Sequence, residues 1–205
     1  MARASSWGLK VSLIGTFIRG RARTFRVLLA VACVTCTGAS ARDAATTSID
    51  FGKNEIGAAP AKFELSQGQW TVVRDATAET GIAIEQSAVQ ATEDLFPLAI
   101  CKTASIKNGE ISLRLKTVGG KSDQGGGIAV RLSNPQNYYL VQLDALRDRV
   151  LFSRVSDGES EQIVGVDADI ASHSWHMLTV RAVDSEFTVS LDGTWVFTAF
   201  DKTLS

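Results

Sequence analysis

From Gln69 onward, apolar and polar residues alternate in short runs separated by turn-forming residues, and no stretch has the spacing of an amphipathic helix. Residues 110–118 give the clearest case. Ile111, Leu113 and Leu115 fall on one face of a predicted strand, with Ser112, Arg114 and Lys116 on the other. The same alternation predicts strands at 69–75, 82–89, 97–102, 128–133, 138–144, 149–156, 162–166, 175–183, 186–191 and 194–197. Asp157-Gly158 separates two of these runs as a turn, and Asp192-Gly193 joins the last two as a tight hairpin. About eleven short strands spaced roughly ten residues apart, with no helix, predict an all-β fold: an antiparallel jelly-roll β-sandwich.

The first 41 residues depart from this pattern. They hold 6 of the 21 basic residues and none of the 22 acidic ones, so the formal charge of −1 conceals −7 over residues 42–205. An apolar run at 27–34 follows Arg26, and the small triplet Ala39-Ser40-Ala41 follows that run. A basic start, a short apolar segment and an A-x-A triplet have the form of a secretory leader. The expected organisation is a leader over 1–41, a linker over 42–47 and a β-sandwich over 48–205, exported to the periplasm, the cell surface or beyond. Neither 27–34 nor a second apolar stretch at 11–18 approaches the roughly 20 residues of a membrane-spanning helix, so no stable span is expected.

Without the leader one cysteine remains, Cys101, which excludes an intrachain disulfide and a thiolate metal cluster. Cys101 lies in the apolar run 97–101 and is expected to be a buried strand residue. The acidic balance favours neutral glycans or cations over phosphate backbones, so no nucleic-acid partner is expected. The glycine-rich stretch 119–127 lacks a Lys-Ser/Thr ending and a following helix, and reads as a loop rather than a phosphate cradle. His173 and His176 fall on opposite faces of a strand, which is poor geometry for a metal. The acids Asp157, Glu159 and Glu161 flank a turn and read as a solvated hairpin tip, not as the paired carboxylates of a sandwich glycosidase.

The strand at 138–144 is the strongest candidate for chemistry. Tyr138, Gln142 and Asp144 share one of its faces, and Arg131 is expected on the neighbouring strand. Together they offer aromatic surface for a sugar ring and hydrogen-bonding groups for its hydroxyls. The alternative is a solvated face of cross-strand pairs. Trp70 opens an early strand as either a core residue or a platform. Trp175 is expected in the core and Trp195 partly buried after its hairpin.

The segment 127–145, GIAVRLSNPQNYYLVQLDA, resembles the GxxFR…NYYxVrldA signature of concanavalin A-like lectin/glucanase domains. WHMLTV at 175–180 and FTVSLDG at 187–193 resemble the core of the same group. Its nearest branch is the 3-keto-disaccharide hydrolase-like domains of exported bacterial proteins, with laminin G-like domains more distant. The resemblance covers roughly residues 48–200 and implies a concanavalin A-like sandwich. Family members carry a closing strand after the Asp-Gly hairpin. Here the matching sequence ends near Asp201, so a missing closing strand and an unpaired edge beside residues 48–51 are expected.

By the same resemblance calcium is the one cofactor to consider, near Asp50, and none is otherwise expected. The glucanase Glu-x-Asp-x-Glu motif is absent. The first expectation is therefore an exported, noncatalytic module binding a glycan or small saccharide through Arg131, Tyr138, Gln142, Asp144 and Trp70. A hydrolase of 3-keto-disaccharides, with Asp144 or Glu85 as acid or base, is the second. A structural module or truncated fragment is the third.

Overall fold

The computed structural model describes residues 10–15, 26–35, 46–49, 54–66, 68–88, 96–105, 108–119 and 124–204, and every regular element in it is a β-strand. They are β1 (Lys10–Gly15), β2 (Arg26–Thr35), β3 (Thr46–Ile49), β4 (Phe63–Ser66), β5 (Gln69–Arg74), β6 (Ile82–Ala88), β7 (Leu98–Ser105) and β8 (Gly109–Gly119). There follow β9 (Gly125–Asn134), β10 (Asn137–Asp144), β11 (Arg149–Ser156), β12 (Glu159–Asp167), β13 (Trp175–Val183), β14 (Glu186–Leu191) and β15 (Thr194–Phe200). β5 to β15 are the eleven strands expected from alternation. β9 begins at Gly125 rather than 128, so the glycine-rich stretch is partly strand.

The strands form two antiparallel sheets. One has the order β12-β11-β10-β9-β1-β7-β4; the other runs β15-β14-β13-β8-β2-β6-β5, with β3 also paired to β2. The all-β antiparallel sandwich is thus present. β1 and β2 lie within the stretch read as a leader, and β3 overlaps the end of the expected linker. Ser48 and Ile49 of β3 pair with Cys33 and Ala32 of β2, and among the described residues β3 has no strand partner on its other side.

One apolar cluster fills the space between the sheets. Tyr139, Val141 and Phe152 enter it from the first sheet, and Leu113, Leu115, Val180, Phe187 and Phe197 from the second. Tyr139, Phe152 and Phe187 form an aromatic centre with ring centroids 4.7–5.6 Å apart. Cys101 and Trp70 belong to the same cluster. Residues 201–204 leave β15 in the second sheet and tie it to the first. Asp201 accepts hydrogen bonds from the Tyr139 hydroxyl at 2.5 Å and from Arg154 at 2.8 Å. The Leu204 amide donates to the Tyr139 hydroxyl at 2.9 Å.

The Asp192-Gly193 hairpin has φ of +50° and +79°, the left-handed pair that matches strand twist in a two-residue turn. Asp192 also accepts a hydrogen bond from the Met177 amide at 2.7 Å. Gly193→Ala places a Cβ on a left-handed backbone and is expected to cost about 1 kcal/mol. For a chain of this size that lowers Tm by about 2–4 °C in a thermal melt.

Candidate functional site

The structure does not gather the expected site residues into one place. Gln142 and Asp144 lie on the outer face of the first sheet, opposite Gly127 and Gly125 of β9. Both are buried. The carboxylate of Asp144 accepts the Leu146 amide at 3.2 Å and an Arg147 guanidinium N–H at 2.8 Å, so it caps the turn at 145–148. Tyr138 shares the face but sits six residues away, about 20 Å along an extended strand. It is fully buried among Leu98, Ile100, Leu132, Leu140 and Val155. Among the described residues its hydroxyl has no hydrogen-bond partner, and burial pushes the phenol pKa upward.

Arg131 is turned away from this face. Its φ of +53° marks a bulge where β9 loses register with β10 between Val130 and Asn134. The guanidinium lies 4.9 Å from the centre of the Phe187 ring and donates to the Leu204 carbonyl at 3.2 Å. Burial lowers its pKa, with Tyr139 and Asp184 acting the other way. Glu85 is a buried residue of β6 in the second sheet, while Asp144 belongs to the first. The two carboxylates do not form a pair. Trp70, 3% exposed, offers no surface to a ligand. Asp50 lies outside the described residues; among those described, no group of three His, Cys, Asp or Glu side chains could hold a metal ion.

A different surface combines exposed aromatic rings with hydroxyl groups. On the solvent face of the second sheet, Ser112, Thr179, Ser190 and Trp195 are successive register partners across β8, β13, β14 and β15. Glu110, Arg181, Thr188 and Thr198 form the adjacent row. Trp195 is 63% exposed and Phe200 67%. The hydroxyls of Ser112 and Thr179 are 2.9 Å apart, those of Thr188 and Thr198 3.3 Å, and the Trp195 indole N–H donates to Thr198 at 3.3 Å. Strict alternation from the buried Phe197 and Ala199 would put Trp195 inside. A register shift between Val189 and Ser190 places it outside instead. The expected partial burial of Trp195 is therefore corrected, and the bulge explains why the alternation did not reveal it.

At the other end of this face, the indole of Trp175 lies under two cations. The Lys116 ammonium is 5.0 Å and the Arg114 guanidinium 5.8 Å from the ring centre. Lys116 pairs with Asp75 and donates to the Thr77 hydroxyl at 2.9 Å, and the indole N–H donates to the same hydroxyl at 2.9 Å. Burial alone would raise the Asp75 pKa, but the hydrogen bonds from Lys116 and Thr77 prevail and hold it below the ordinary carboxylate value. These groups satisfy one another and fasten the 75–81 loop to the sheet. They leave the Trp195 end as the open part of the face.

No protein-family model matches the chain, and no curated protein matches it. Among solved structures the chain is similar to the carbohydrate binding module CBM66 from Bacillus subtilis. The TM-score is 0.55 at 18% identity, over 71% of this chain and 84% of that one. At this identity the similarity concerns the β-sandwich fold.

Proposed function

We propose that the protein is a noncatalytic carbohydrate-binding β-sandwich that meets a neutral saccharide on the solvent face of the second sheet, at Trp195. The observation that carries this reading is an exposed indole beside rows of serine and threonine hydroxyls. An indole face supports a sugar ring by apolar contact, and the hydroxyls both donate to and accept from its OH groups. The row from Trp195 to Ser112 crosses three strand spacings, about 14 Å, room for a short oligosaccharide. The fold shared with a carbohydrate binding module supports the same reading. Membership of the concanavalin A-like group is part of the proposal and rests on the segments 127–145, 175–180 and 187–193. The separation of Glu85 and Asp144 onto different sheets favours binding over glycoside hydrolysis.

A screen of neutral oligosaccharides, followed by calorimetric titration of those retained, tests this directly. Trp195→Ala is expected to weaken binding at least about tenfold, the equivalent of about 1.4 kcal/mol. Because the ring is exposed, Tm should barely move. Binding unaffected by the substitution would take the site off this face. Retention of no neutral saccharide would overturn the function, and turnover of a bound disaccharide would make the protein an enzyme.

A further inference from the structure

We propose that β1 and β2, residues 10–15 and 26–35, stay in the folded domain and supply, within one chain, the strand that joins the two halves of each sheet. β1 lies between β7 and β9. Its Ser12, Leu13 and Ile14 pair with Ile100, Ala99 and Leu98 on one side and with Ala129, Ile128 and Gly127 on the other. β2 lies between β6 and β8, with Val27, Leu28 and Leu29 paired to Gln86, Glu85 and Ile84 and the whole strand running along β8 from Gly119 to Glu110.

Among the described residues, β7 reaches β9 and β6 reaches β8 only through these two strands. Taking them away cuts the first sheet into β12-β11-β10-β9 and β7-β4, and the second into β15-β14-β13-β8 and β6-β5. β3 would also lose its partner. Four long strand edges would then expose unpaired N–H and C=O groups in the middle of the sandwich. The apolar run 27–34 reads equally as a strand and as a leader core, so composition does not separate the two roles and pairing does.

The full-length chain provides the test. Cys33 is the direct register partner of Ser112, and directly opposed residues in an antiparallel pair have Cα atoms within disulfide reach. In a Cys36→Ser background, Ser112→Cys is expected to form an intrachain disulfide with Cys33 under mild oxidation, read as a mass loss of two hydrogens. Thr179→Cys, one strand further away, should not. A site-specific protease sequence inserted between Ala41 and Arg42 gives a second readout. After cleavage the N-terminal fragment should co-elute with the rest on native gel filtration and separate only in denaturant. A fragment that departs under native conditions with Tm unchanged would overturn the proposal, as would failure of the Cys33 crosslink. A crosslink found only between chains would also overturn it, by showing that a second copy donates the strand.

Discussion

Gly127→Ala is expected to cost about 3 kcal/mol or more, an exceptional loss for a single methyl group. A Cβ built at this position would lie 2.0 Å from the Val141 carbonyl oxygen, 2.8 Å from the Gln142 Cα and 2.9 Å from the Val141 carbonyl carbon. All three are backbone atoms of β10, so no side-chain rotation relieves the overlap. β9 or β10 must shift, and both face the core through Ile128, Val141 and Leu143. For a chain of about 200 residues the loss corresponds to a Tm lower by about 6–12 °C. Gly119→Ala is the matched control, because a Cβ there meets nothing within 4 Å. Equal melting curves for the two variants would show that the β9–β10 approach is not as close as described.

Asp201→Ala is the second large effect, expected at about 2–4 kcal/mol. The substitution leaves the Tyr139 hydroxyl and one guanidinium N–H of Arg154 without their carboxylate acceptor. Arg154 keeps Glu161 at 2.5 Å and Thr203 at 2.7 Å, which holds the loss below that of a fully stranded charge. The same carboxylate has a pH signature. Burial by itself would raise its pKa, but hydrogen bonds from Tyr139 and Thr203 and the charge of Arg154 outweigh burial and hold it below the ordinary value. A depressed folded-state pKa contributes stability above the unfolded-state value near 4, lost as pH falls through the folded-state value. Asp75 acts in the same direction. Stability should therefore fall steeply below about pH 4, and Asp201→Asn should make that fall shallower in denaturation curves measured at successive pH values. An acid profile identical to that of the parent would remove Asp201 from this account.

The alternation of residues in 69–200 was enough to read the sandwich, because half-buried antiparallel strands write their two faces directly into the sequence. What escaped did so for identifiable reasons. β4 has only four residues, too few to show a period. β1 and β2 share their apolar composition with a leader. At the candidate site the losses came from bulges, where one extra residue reverses the facing of everything beyond it. The bulge at Arg131 moves the guanidinium from the expected groove floor to the rim of the core, and the shift at Ser190 brings Trp195 to the surface. Burial was the other hidden quantity. Alternation places Tyr138, Gln142 and Asp144 on one face, but not that the face is closed over them.

The placement of β1 and β2 also bears on time. Ser12 must wait for Ala129 to be synthesised before it can pair, and Arg26 for Gly119. Contacts between residues so far apart in the chain make folding slow, in the millisecond-to-second range typical of all-β domains. During synthesis β1 and β2 emerge before β6, β7, β8 and β9 and stay without those partners until they are made. Any factor that binds short apolar segments has that interval in which to take hold of it. Sheet closure and capture by such a factor are thus rivals for the same residues, and the outcome is decided by their relative rates.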